Sequence, residues 1–237
     1  MDEEEYRLMD EAENGMWWYR ALHARLAHEL RGQTHVLDAG CGTGGLLAAL
    51  RNNPTRTGLE HNPSAACRAH QKSAAPIACG SVNALPFQPH SFDAVVSADV
   101  LCHAAVDPAA ALSEFRRVLR PQGLLVLNMP AYAWLASAHD RRVHNARRVT
   151  PATLRTWLEA AGFTTIRTRF WNALLLPMMI AQRKLLARGD HPSDVARFPP
   201  WLDAILHAAT HLERRLPIAW PAGGSLIATA RSPETPA

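Results

Sequence analysis

The chain has 237 residues, 48% of them hydrophobic and 19% charged, with a formal net charge of +4. That length allows one large α/β domain with elaborations, and no run of roughly eighteen apolar residues suggests a membrane-spanning helix. The acidic start, Met1-Asp2-Glu3-Glu4-Glu5, does not fit a secretory signal. Cys41, Cys67, Cys79 and Cys102 lack the spacing of a zinc site or a disulfide frame, so a cytoplasmic protein is expected. Only Lys72 and Lys184 are lysine; the positive charge is otherwise arginine, a composition bias that leaves room for anionic substrates or surfaces.

Residues 3–31 predict two helical pieces, broken at Glu13-Asn14-Gly15 and reopened by Met16-Trp17-Trp18-Tyr19. Leu22, Leu26 and Leu30 recur every four residues as an apolar stripe, and Gly32 stops the helix. Trp17 and Trp18 face different directions on a helix. One of them is expected to act as a lid, the alternative being plain core packing for both.

Residues 36–45 read Val-Leu-Asp-Ala-Gly-Cys-Gly-Thr-Gly-Gly, a buried strand end, a tight glycine turn and the start of a helix. This geometry brings backbone close to a nucleotide-like ligand, where side chains would obstruct. A dinucleotide fingerprint can be laid on Gly40, Gly42 and Gly45, so the glycines alone do not choose the ligand. Asp38, two residues before the first glycine, suits a ligand that carries positive charge and an amine. The next strand, 56–60, ends in Glu60, 20 residues after Gly40, where the ribose hydroxyls of a bound nucleoside arrive.

A short helix is predicted over 64–70, a third strand over 77–82 and a fourth over 92–98. Asp107-Pro108 caps a helix that runs to 119, with Arg116, Arg117 and Arg120 near its C-terminal dipole. A fifth strand covers 124–128. A long polar and aromatic connection, 129–150, precedes a helix over 151–161 and a strand over 163–171. Two insertion helices are expected over 173–188 and 200–216, then a closing strand over 225–231 and a disordered tail. The alternation of strand and helix predicts a doubly wound α/β sheet whose ligands bind at the carboxyl ends of the strands.

Taken together, these motifs resemble the class I S-adenosylmethionine (SAM)-dependent methyltransferases, in the subgroup that contains the ubiquinone and menaquinone C-methyltransferases. The matching residues are Val36-Leu37-Asp38-Ala39-Gly40-Cys41-Gly42-Thr43-Gly44, Glu60, Ala84-Leu85-Pro86-Phe87, Ser91-Phe92-Asp93-Ala94-Val95-Val96 and Leu119-Arg120-Pro121-Gln122-Gly123. The likeness covers 34 to about 170. It implies a Rossmann-like sheet of seven strands, the last antiparallel and inserted between the fifth and sixth. The expected parts are a helical lid over 1–33, a SAM-binding core over 34–171, a substrate cap over 172–222, and a final strand and tail over 223–237.

The resemblance also implies roles for single residues. Gly40, Gly42 and Gly44 would pack on the methionine part of SAM, with Asp38 orienting the loop and the amine. Glu60 would take the ribose, and His61 the adenine face. Val82 would meet the adenine through its backbone, and Ala98 would offer its carbonyl to the amine. Ser81 stands where many members have Asp, a departure that weakens the expected adenine contact. A narrower likeness, to a bacterial subfamily linked to envelope or lipid metabolism, covers Met16-Trp17-Trp18-Tyr19, Pro130-Ala131-Tyr132-Ala133-Trp134-Leu135, Ser137-Ala138-His139-Asp140 and His144-Asn145-Ala146-Arg147-Arg148. Trp18, Tyr19, Tyr132, His144, Arg147 and Arg148 are the expected acceptor-binding residues.

Methyl transfer from a sulfonium needs alignment and desolvation, with a general base only when the acceptor must lose a proton. His139 beside Asp140, and His103 after the fourth strand, are the candidates, and these histidines read equally well as loop ties. The spacing of His139, Asp140 and His144 is not that of a metal site, and none is expected. Arg147 and Arg148 suit a carboxylate or phosphate on the acceptor. The expected function is methyl transfer from SAM to a small, hydrophobic or lipid-linked acceptor, with a hydroxyl favoured. The expected partners include no nucleic acid, and peripheral membrane contact is read from the apolar run 173–181 with its flanking aromatic and basic residues. The alternatives are a silent SAM-binding protein and a nicotinamide-dependent oxidoreductase.

Overall fold

A computed structural model describes residues 3–53, 55–137, 140, 142–185 and 198–234, the backbone alone for 182–185. Seven strands form one sheet in the order β3-β2-β1-β4-β5-β7-β6. They are β1 (His35–Ala39), β2 (Thr55–Glu60), β3 (Ile77–Cys79), β4 (Phe92–Ala98), β5 (Leu119–Pro130), β6 (Thr164–Trp171) and β7 (Ser225–Arg231). The first five run parallel, and β7 lies antiparallel between β5 and β6. This is the expected doubly wound sheet with its inverted last strand. β3 is shorter than the predicted 77–82. The chain leaves the ladder after Cys79, and Ser81 then bridges Ala84 in a turn.

Both sheet faces are covered, as parallel strands require. Alternate strand residues divide between two apolar layers. Leu37, Leu59, Val95, Leu125 and Leu127 face α5 (Pro108–Val118) and α6 (Pro151–Ala160), whose Leu112, Phe115, Leu154 and Leu158 complete that layer. Val36, Ala94, Val96, Val126 and Ile227 face α2 (Trp17–Glu29), which supplies Ala21, Leu22 and Leu26. Leu46 of α3 (Gly45–Ala49) joins the same layer, while Leu47 turns towards Ala69 of α4 (Pro63–Ser73). Caps fix three helix starts: Asn62, Asp107 and Thr150 accept from the backbone N–H groups of Ala65, Ala109 and Thr153, each ahead of a proline.

The helices between β6 and β7 are α7 (Leu176–Leu185) and α8 (Pro200–Arg215). The buried carboxylate of Glu213 anchors α8: it accepts from the backbone N–H groups of Asn172, Ala173 and Leu174 and pairs with Arg25 at 3.0 Å. Asp203 holds the other end, accepting from Trp17 N–H at 2.6 Å and from the Arg20 guanidinium. Between these anchors Leu206 packs with Trp17 and Leu175. The insertion thus lies on α2 beside the carboxyl edge of β1, β4 and β5.

Candidate active site

The parallel register brings the ends of β1, β2, β4 and β5 to one edge: Asp38 stands beside Gly58 and Val96, and Ala98 pairs with Asn128. The glycine turn follows directly. Gly44 has φ +88°, and a side chain there would meet the Ala69 backbone at 2.7 Å, so α4 packs against the turn only because Gly44 lacks one. At Gly40 an added Cβ would collide with Val100. Gly42 differs, because the atom opposite it is the flexible end of Met9, at 2.7 Å from an added Cβ. Two of the three glycines therefore serve packing, and Gly42 faces Met9.

Asp38 is buried, and among the described residues no hydrogen-bond donor reaches its carboxylate. Burial raises its pKa to about 8, with Glu13 and Glu60 adding repulsion. A buried carboxyl with no partner suits an ammonium that arrives with the ligand. Glu60 is buried too, but it is engaged. Its Oε1 accepts from Tyr6 Oη and from Asn62 N–H, and its Oε2 from Gly42 N–H, all at 2.9 Å. Tyr6 and Met9 belong to α1 (Glu3–Ala12), which lies across the turn. The helix is clamped to α4: Lys72 pairs with Asp10 at 2.5 Å and Glu13 at 2.7 Å, and Thr43 Oγ1 donates to Glu13 at 2.6 Å. The donor and acceptor set fits SAM, with an unmatched acid for its charged end and a strand-tip acid for its diol.

Around that centre, Ser81 accepts from Asn83 N–H, Val82 is buried, Ala98 is partly buried and His61 is exposed. Tyr132 stacks on Phe170 at 5.4 Å, and Trp18 lies 5.0 Å from Tyr19 and 6.1 Å from Trp171. Both aromatic groups flank the carboxyl edge. Arg148 clasps Asp140 through two 3.0 Å hydrogen bonds, both side chains nearly inaccessible, and Ser137 N–H adds a third donor at 2.7 Å. Arg147 donates to the His103 carbonyl at 2.6 Å, and His144 supplies a carbonyl to Ala104 N–H. Burial lowers the His103 pKa, and the nearby backbone of Val143 and His144 acts against that lowering. These residues join the described parts of the connection after β5 to the loop after β4. His139 lies outside the described residues.

The sequence reading passed over Asp99, the residue after β4. Its φ of +54° is rare for a side-chain-bearing residue. Asn128 Nδ2 donates to both its oxygens at 3.0 Å, and Asn128 Oδ1 accepts from the Trp171 indole at 2.8 Å. Burial raises the Asp99 pKa to about 7, against the lowering by Asn128 and Arg148. Asp99 belongs to no recognised sequence motif, and Trp171 and Asn128 are far from it along the chain. Tyr6 and Met9 were missed for the same reason: only folding brings α1 to Glu60 and Gly42.

Comparison with known proteins bears on this edge. A family profile described as a methyltransferase domain matches residues 37–127, the span from β1 through β5. A probable SAM-dependent methyltransferase of Mycolicibacterium smegmatis is 32% identical over 160 residues, 64% of this chain and 61% of that one. The stretch from β1 through β5 is thus similar to the class I SAM-dependent methyltransferases, whose methyl donor is SAM. Among other class I methyltransferases, 24-methylenesterol C-methyltransferase 3 of Arabidopsis thaliana is 32% identical over 115 residues, 45% of this chain and 31% of that one. A Thermotoga maritima methyltransferase structure, described as a possible histamine N-methyltransferase, superposes with a TM-score of 0.62 at 17% identity, covering 97% of this chain and 95% of that one, which supports the fold. The chain thus spans about three fifths or less of the curated relatives it matches here.

Proposed function

We propose that the protein transfers the methyl group of SAM to a small-molecule acceptor with an apolar portion, a hydroxyl oxygen being the favoured target. The observation that carries this reading is the buried Asp38 at the tip of β1, which no donor among the described residues reaches, with Glu60 at the neighbouring tip. Asp38 would hold the ammonium of SAM, Glu60 its ribose hydroxyls in place of Tyr6, and Gly42 the methionine chain. The backbone of Val82, with Ser81 and His61, would frame the adenine, and Ala98 would offer its carbonyl. Of the expected lid over 1–33, α2 is built into the sheet's core layer, and α1 would be the part that closes over this site.

The bound cofactor supplies a methyl on a positively charged sulfur, open to in-line attack. The chain's part is alignment, exclusion of water and acceptance of a proton. Trp18, Tyr19 and Tyr132 would form the apolar wall for the acceptor. Asp99 is the base best supported by position. It sits one residue beyond Ala98, is partly exposed, and is fixed by Asn128. Its carboxylate would take the acceptor's hydroxyl proton as the oxygen gains the methyl. The backbone contacts of His103 favour its reading as a loop tie.

The test is to incubate purified protein with methyl-labelled SAM and a cell extract, then divide the products between aqueous and organic phases. Label in the organic phase is expected. Label confined to the aqueous phase would refute the apolar acceptor, and no transfer despite SAM binding would favour a silent binding protein.

A further inference from the structure

The apolar run 173–181 was the sequence-based membrane candidate, and the structure divides it. Leu175 is buried against Trp17 and Leu206, whereas Leu174 and Met178 are exposed. The larger exposed apolar face lies on α8. Trp201, Ile205 and Leu212 are 65%, 57% and 54% exposed, the highest values among the described large hydrophobics. With Ala204, Ala208 and Arg215, also exposed, they fall within an arc of about 100° on a helix of 3.6 residues per turn.

The charge of this helix is sorted by face. Both its acids point inward and are neutralised there, Asp203 by Arg20 and Glu213 by Arg25. Of its two arginines, Arg214 turns back to α2 and donates to the Ala24 carbonyl, while Arg215 is exposed within the apolar arc at the last turn. The outward arc is thus apolar with one cationic group at its end and no acid of this helix. Ile218, 49% exposed, continues it beyond the helix.

We propose that the outward face of α8 docks the protein on an anionic bilayer surface, with Trp201, Ile205 and Leu212 entering the headgroup boundary and Arg215 meeting lipid phosphates. Large apolar residues on one arc, an indole, a flanking arginine and acids turned to the other side are what an interfacial helix needs. The inference does not rest on the proposed acceptor, since docking would occur without turnover.

Flotation of the full protein with vesicles tests it directly, using phosphatidylcholine alone and phosphatidylcholine with phosphatidylglycerol. The wild type should float with the anionic vesicles, less with the neutral ones, and less again at high salt. Trp201→Ser with Ile205→Ser should reduce anionic binding by roughly tenfold or more, through lost apolar burial. Melting temperature and SAM affinity should stay near wild type, because neither side chain is in the core. Arg215→Gln should weaken the preference for anionic lipid. A wild type that ignores both vesicles overturns the proposal, as does binding that the apolar variant leaves unchanged. A dimer in sedimentation that the apolar variant splits, with no vesicle binding, would instead assign the face to a second copy.

Discussion

Asp38 and Glu60 are both buried acids at neighbouring strand tips, but they differ in what they touch. Asp38 has no donor among the described residues and is protonated up to about pH 8. A cationic ligand requires the charged form, so SAM binding should release a proton, and affinity should rise between pH 6 and pH 8. Calorimetry in two buffers of different ionisation enthalpy measures the released proton, and an Asp38→Asn variant should lose both the release and most of the affinity. Glu60 already accepts from Tyr6, whose phenol is pushed to higher pKa first by burial and then by the Glu60 charge. Tyr6→Phe removes one of the two donors on Glu60 Oε1 and leaves that position for a ribose hydroxyl. Since a hydrogen bond to a charged group contributes about 1.5–3 kcal/mol, SAM should bind several-fold tighter. Glu60→Ala should bind it more weakly. Tighter binding by Glu60→Ala would mean that Glu60 does not hold the ribose.

At the scale of elements, two helices depend on single buried ionic groups. Glu213 satisfies three backbone N–H groups at the exit of β6 and the Arg25 guanidinium, which also lies 5.1 Å over the Trp171 ring. Removing it leaves a buried arginine and orphaned donors. Glu213→Ala should therefore cost about 3 kcal/mol in urea unfolding, more than a surface acid would. The clamp of α1 is Lys72, bound to Asp10 and to the buried Glu13. Lys72→Met should loosen α1 while leaving the sheet intact. Hydrogen exchange would report this as faster exchange over residues 3–12 with β4 and β5 unchanged. Slowed or unaltered exchange in α1 would show that the clamp does not hold it.

Over the whole molecule, the raised acids set a pH trend. Asp38 and Asp99 keep their protons to about pH 8 and about pH 7 when folded, yet titrate near 3.8 when unfolded. Between those values the native state binds more protons than the unfolded chain, so their contribution falls as pH rises. It is fully present below about pH 4 and lost through pH 7–8. Asp93 and Glu114 are lowered and act in the opposite sense, but their effect is complete above about pH 5. Urea unfolding should therefore show less stability at pH 8 than at pH 6. Asp99→Asn should flatten part of that slope, and an unchanged slope would place the Asp99 titration elsewhere.

The order of strands and helices followed from local sequence, because alternating apolar runs, prolines after cap residues and glycine stops act over a few neighbours. The glycine turn, Asp38 and Glu60 were readable for the same reason: strand ends and their spacing fix which residues reach the carboxyl edge. The inverted position of β7 came from family resemblance, since nothing local to residues 225–231 specifies its partners. Tertiary structure alone decided which partner each polar group took. It gave Glu60 to Tyr6, Asp140 to Arg148, Asp99 to Asn128, and Asn128 in turn to Trp171, pairs separated by up to 54 residues whose meeting depends on how helices settle on the sheet. It also buried Leu175 and exposed Trp201, because a helix between two acid anchors turns the face those anchors choose, whatever its hydropathy.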